Sequence, residues 1–448
     1  MLFLVPFDAI LLPVTLPLDA RLDRPVLVLL GLLWVCSLFV VTAGARPRLR
    51  GTRLHAAVAL FFFLALFSVL LNAGVLSRLG EFELGLKKLA LLASYVTVFL
   101  VVASSIRPSE ARKFMALLVG LACLTSLGAI WEYRFGYNVF YDWVAGLVPG
   151  STVQYPGGVE LGGKDAFGRQ QVIGPTGHPL AMAGMLALAV PFATVGILAS
   201  KERRTFFLYA LATALIFAGA VATVRKTSGV APIAGLLVLA AYRPRAMFRL
   251  LPLGLVMVIG ITLIAPGAIG SVRDQLNPAA LFGANSTQQR QSDYDDVTPD
   301  IASHLAFGRG YGSYDPRKYR VLDNQYLAIL IGTGFVGLAA YLAILAAIFL
   351  TAHRAARAGD PAVAPPALAI ASVVVVFAVE SLLFDALAFP HVPYVLFFCA
   401  GLAVVCALPT LRESAFGWRP TRLDAAEAAR PKPAVAFSGY GWAENRKQ

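Results

Sequence analysis

Charge is scarce in this sequence, and cysteine and histidine are scarcer still. Only 14% of its 448 residues are charged, 58% are hydrophobic, and the mean hydropathy is +0.71. A soluble domain carries about 25% charged residues, so that class is excluded. The four cysteines, Cys36, Cys123, Cys399 and Cys406, all lie inside apolar runs. The external loops therefore have none to pair, and a disulfide framework is excluded. His55, His178, His304, His353 and His391 are scattered, without the spacing of a zinc site. Neither a metal nor a cofactor is expected. The apolar runs do not alternate, which excludes a β-barrel, and no internal repeat of the kind found in many secondary transporters is visible.

What is present is a series of apolar windows about 20 residues long, enough for a helix to cross a hydrocarbon core about 30 Å thick. The expected fold is all-α and polytopic, in one membrane domain over residues 1–410. Twelve spans are expected, near 2–18, 25–44, 54–76, 84–103, 114–134, 179–199, 205–223, 229–242, 250–269, 325–350, 367–386 and 391–409. Pro6, Pro13 and Pro17 interrupt the first. It has no Lys or Arg before Arg21, unlike a cleaved signal peptide, and is expected to be retained. With the N-terminus in the cytoplasm, most basic residues fall on one side, among them RPRLRGTR (46–53) and the tail 411–448. That asymmetry sets orientation and accounts for the net charge of +13 without nucleic acid. The tail reads as disordered, cytoplasmic and close to anionic lipid.

Two external connections are long, about 135–178 and 270–324. Long loops in compact folds are functional or disordered; aromatics in the first, and a short helix expected around Asp296–Ala306 in the second, mark these as ordered. The glycine run GRGYGSYDP follows no strand and opens no helix, so it reads as a turn-rich loop and not a phosphate loop.

Polar groups at helix mouths need a reason. Arg225 and Lys226 stand in a turn between two apolar segments, against the positive-inside trend. They either snorkel to the surface or face inward as an anion site, and Lys87-Lys88 poses the same choice. Arg169 precedes the sixth span, and Arg290 lies among Asp293, Asp295 and Asp296 in a mixed-charge loop. Asp323-Asn324-Gln325-Tyr326 opens the tenth span, where Asp323 or Asn324 can serve as an N-cap.

In order, RQQVIGPTGHPLAMAGMLALAVPF, VRKTSGVAPIAGLLVLAA, QQRQSDYDDV, LAFGRGYGSYD and DNQYLAILIGTGFVGLAAYL resemble the O-antigen ligase and O-antigen polymerase superfamily over roughly 165–345. The resemblance implies a GT-C-like membrane glycosyltransferase at the outer face of the cytoplasmic membrane. Such an enzyme moves a glycan from an undecaprenyl-diphosphate carrier to an acceptor hydroxyl, with inversion and without metal. It implies Arg225 and Arg290 as the diphosphate-holding pair. Asp323 stands where the family's ligases have a histidine, and takes the role of general base. Arg169, Lys88, His178, Tyr294, Asn324, Gln325 and Tyr326 become candidate substrate contacts. Implied partners are the carrier-linked oligosaccharide, an acceptor glycan or glycolipid and the bilayer, together with a flippase and a chain-length regulator. Composition rich in Ala, Gly, Arg and Val points to a GC-rich genome and tilts the reading toward a polysaccharide polymerase over a ligase. The alternative is a polysaccharide-lipid transporter without chemistry, for which Glu380 inside a span is the main feature.

Overall fold

The computed structural model describes residues 7, 10–12, 21, 23–39, 51–148, 150–153, 163, 170–225, 227–264 and 297–413. Helices α1 (Arg24–Phe39), α2 (Arg53–Leu71), α3 (Ala73–Leu79), α4 (Phe82–Ser105), α5 (Ala111–Phe135) and α6 (Val139–Leu147) form the first half. The second half is α7 (Pro179–Ala199), α8 (Arg203–Ala222), α9 (Thr227–Tyr242), α10 (Pro244–Ile264), α11 (Gln325–Ala358), α12 (Ala364–Leu383) and α13 (His391–Glu413). The protein is thus an all-α, multi-pass membrane protein. Among the described residues, eight helices are long and apolar enough to cross a membrane, and α1 and α9 are shorter apolar helices.

Among the described residues eight of the twelve expected spans are matched by helices of that length, and within the first expected span the described residues include a short strand. Ile10–Leu11 form a strand, β1, paired antiparallel with Thr152–Val153, β2, and Leu11 bridges to Arg21. Prolines at 6, 13 and 17 remove the donors a helix would need there. The pairing puts Ile10 at the end of the bundle that carries the 136–178 connection. In the second long connection, residues 297–303 are helical, inside the segment expected to be so.

Helix α7 is the axis of the bundle, with 94% of its membrane window buried. It is apolar all round and rich in Ala and Gly, so α5, α8, α9, α12 and α13 can all approach it. Small residues set the spacing elsewhere too. Gly219 of α8 lies so close to Ser126 of α5 that a Cβ would meet it at 2.6 Å. Ser372 of α12 donates a hydrogen bond to the carbonyl of Gly235 in α9, at 2.7 Å.

The 34-residue α11 is two helices joined at a break. Gly334 has φ 67° and ψ −170°, a region open essentially only to glycine. The break frees backbone groups that lipid could not satisfy, and the segment 305–310 satisfies them. Phe335 and Val336 donate to the carbonyls of Leu305 and Ala306, while Arg309 and Gly310 donate to those of Ile331 and Gly332. Ser68 of α2 donates to Phe307 O at 2.6 Å and Gly332 O at 2.7 Å, and Asn72 to Gly308 O at 3.0 Å. This is the role of the glycine run: Gly308, with φ 68°, lies where a Cβ would meet Gly332 at 2.3 Å. Gly334→Ala is expected to cost at least about 1–3 kcal/mol from backbone strain alone, since its Cβ would also meet Ala306 O at 2.3 Å. A lower yield and thermal midpoint of detergent-solubilised protein would report it, and a wild-type midpoint would show that the break relaxes.

Candidate active site

The connections at one end of the bundle converge on two groups of polar side chains. The first is built on the turn between α8 and α9. Val224 is β-branched yet has φ 54°, a strained conformation for such a residue, and it immediately precedes Arg225. The turn is held by Ser228, whose backbone N–H and hydroxyl both donate to Arg225 O, at 3.0 and 2.6 Å. Arg225 is half-buried and lies within electrostatic reach of His178, as does buried His391 at the start of α13.

His178 caps α7: its Nδ1 accepts from Leu180 N at 3.2 Å. That assigns the proton to Nε2 in the neutral ring. Burial, then Arg225 and His391, push its pKa down to about 4, so the ring is an uncharged donor at neutral pH. The preceding IGPTG turn is fixed from α5 by buried Glu132, which accepts from Ile173 N at 3.1 Å, Gly174 N at 2.9 Å and Asn138 Nδ2 at 3.0 Å.

The second group lines a cavity of about 120 Å³ between α4, the 308–324 segment, the start of α11 and the connection between α12 and α13. Lys88, Tyr311, Tyr314, Arg320, Gln325 and Asp385 supply its polar walls. Burial pushes the Asp385 pKa up to about 6, with Asp323 raising it further while Lys88 and the Ala388 N–H pull it down. Asp323, Asp385 and Lys88 thus share one electrostatic neighbourhood. The same connection reaches the first group. Phe389 lies 4.8 Å from the His178 ring and 5.7 Å from Phe384, so only three residues separate the cavity carboxyl from the ring packed on His178.

The residues at the mouth of α11 divide their work. Asn324 is the cap, its Oδ1 accepting from Tyr326 N at 2.9 Å and Leu327 N at 3.3 Å. Asp323 is exposed at the rim. Gln325 Oε1 accepts from Leu387 N at 2.6 Å, which ties the α12–α13 connection to the cavity wall. The Tyr326 hydroxyl donates to Ala378 O at 2.9 Å across to α12. Arg290, Arg169 and Tyr294 lie outside the described residues, so the expected Arg225–Arg290 pairing does too.

Asp385, Arg320 and His391 were not singled out in the sequence as site residues. Arg320 was the most accessible of them, three residues before Asp323 in YRVLDNQ. Arg309 was also missed. It is 7% exposed, pairs with Glu81 at 2.7 Å and Asp300 at 3.0 Å, and lies 4.6 Å over Tyr319. Arg309→Met strands the Glu81 carboxylate in a buried place, and removing one partner of such a pair costs about 3–5 kcal/mol. A drop of several degrees in thermal midpoint is expected; no drop would show that Lys318, 3.5 Å from Glu81, compensates. Among the described residues, no three His, Cys, Asp or Glu side chains are grouped as metal ligands would be.

Residues 211–342 match the family model described as O-antigen ligase. The matched stretch holds Arg225 and Asp323–Tyr326, while Lys88, His178 and Asp385 lie outside it. No curated protein matches the chain.

Proposed function

We propose, for a chain that belongs through residues 211–342 to the O-antigen ligase and polymerase superfamily, that it transfers a glycan from an undecaprenyl-diphosphate carrier to an acceptor sugar hydroxyl at the outer face of the cytoplasmic membrane. The family supports O-antigen-type glycan transfer in general. The observation that carries the finer reading is the meeting of a cation-bearing group, Arg225 with His178, and a carboxylate-bearing cavity on one short connection.

In this reaction the acceptor oxygen attacks the anomeric carbon as its proton passes to a carboxylate. The bond to the carrier's diphosphate breaks with inversion, and the leaving oxygen collects negative charge. Arg225 suits that role, because its planar fork matches phosphate oxygens. The Nε2–H of His178 adds a neutral donor, and Arg290 is the proposed second cation. Cations set where the charge develops lower the barrier without a metal. For the proton, Asp385 lines the cavity with its pKa near neutrality, the best range for a general base. Asp323, at the rim, acts through its charge on Asp385 or takes the proton itself. Asn324, Gln325 and Tyr326 support the site through the backbone they hold, and the Gln325 amide faces the cavity.

Polymerase is favoured over ligase on composition, with a flippase and a chain-length regulator as partners. The test is incubation of purified protein with carrier-linked oligosaccharide. Release of undecaprenyl diphosphate with lengthened glycan supports the proposal; unchanged lipid that has crossed the bilayer would establish a transporter instead.

A further inference from the structure

The cavity around Asp385 is chemically mixed in a way that a diphosphate does not explain. Its walls carry two cations, Lys88 and Arg320, one carboxyl, Asp385, one amide, Gln325, and two tyrosines, Tyr311 and Tyr314. A diphosphate has no hydrogen to donate and would be repelled by the Asp385 carboxylate. A neutral sugar would match Asp385 and Gln325 and bring no charge to complement Lys88 and Arg320. A ligand that matches every wall offers hydroxyl groups to the carboxyl and amide, an apolar ring face to the tyrosines and an anionic group to the cations.

The tyrosines are fixed walls. Tyr314 is stacked on Tyr319, with centroids 4.8 Å apart and planes 27° apart, and lies 5.6 Å from the Arg309 guanidinium, which is itself ion-paired. Tyr311 is 7% exposed and meets Phe61 edge-on at 6.1 Å. Such rings lose little freedom on binding, and Lys88 and Arg320 line the same cavity, two charged donors of the kind that suit a carboxylate.

We infer that this cavity is a subsite for an acidic sugar of the uronic acid class, its carboxylate held between Lys88 and Arg320 and its hydroxyls on Asp385 and Gln325. The sugar belongs to the acceptor glycan, because the carboxyl that would take the acceptor's proton is in the same cavity. The inference rests on the transfer reaction proposed above, yet binding tests it separately.

The experiment is ligand-observed NMR on the full-length protein in detergent, with methyl glucuronide and methyl glucoside as probes and inorganic phosphate as a third. A charge-assisted bond contributes enough for the glucuronide to bind about tenfold more tightly than the glucoside. That preference should vanish in Arg320→Gln and in Lys88→Gln, each checked for a wild-type thermal midpoint, and should partly return in Arg320→Lys. Equal binding of the two glycosides overturns the inference, and phosphate binding lost in Arg320→Gln would then assign the cations to the carrier's diphosphate. A preference that survives both substitutions also overturns it, by placing the acidic sugar elsewhere. Carrier-lipid release on the same preparation keeps the two claims apart. Release without a uronate preference sinks only the subsite, and preference without release sinks only the transfer reaction.

Discussion

Arg225→Lys is expected to lower glycan transfer about 10²–10³-fold, the scale of losing one donor aimed at developing charge, while the protein still inserts and folds. Lysine keeps the positive charge but is a point donor in place of a fork, so two phosphate oxygens can no longer be gripped together. The backbone supports this emphasis. Val224 holds φ 54° although β-branched, and Ser228 ties the turn twice to Arg225 O, so conformational strain is maintained where the guanidinium must be aimed. Initial rates of carrier release from membranes with matched protein levels would measure the effect. Near wild-type rates in Arg225→Lys would mean that the side chain only marks the bilayer boundary.

Asp385→Asn is expected to be nearly as severe, because a general base contributes about 10²–10⁴-fold. A pH profile separates Asp385 from Asp323. The base works only as a carboxylate, and burial raises the Asp385 pKa from 3.8 to about 6. Transfer should therefore climb as pH rises through about 6 and fall away below it. Asp323 raises that pKa, so Asp323→Asn should move the acid limb to lower pH while leaving most of the plateau rate. Should Asp323→Asn remove the plateau while Asp385→Asn leaves the limb unmoved, the base is Asp323 and the cavity carboxyl only binds.

Much of the site was visible in the linear chain, though unevenly. Arg225 stood out because two cations in a short turn between apolar spans run against the overall charge asymmetry of the chain. The stretch DNQY stood out because polar residues at the mouth of a span must either cap it or work. The structure splits these roles within the stretch, giving the cap to Asn324 and leaving Asp323 at the rim. Asp385 did not stand out, since a carboxylate at the end of a span is ordinary in any membrane protein. Its meaning comes from Lys88 and Asp323, which are remote in the chain and adjacent in space.

Composition and the run lengths of apolar residues determined that this is a helical, multi-pass membrane protein, because hydrocarbon solvates no backbone and leaves few other ways to fold; the ordered motifs pointed to the O-antigen ligase family model that residues 211–342 match. Tertiary structure decided the rest. IGTG reads as unbroken helix, yet α11 breaks at Gly334 because the backbone of 305–310 docks there and satisfies what the break exposes. Ile10 and Leu11 pair as strand with the distant Thr152–Val153, and Asp385 becomes a site residue through neighbours that periodicity does not encode. Solvent preference is local and can be read along a chain, whereas the pairing of charges and of freed backbone groups depends on which segments meet.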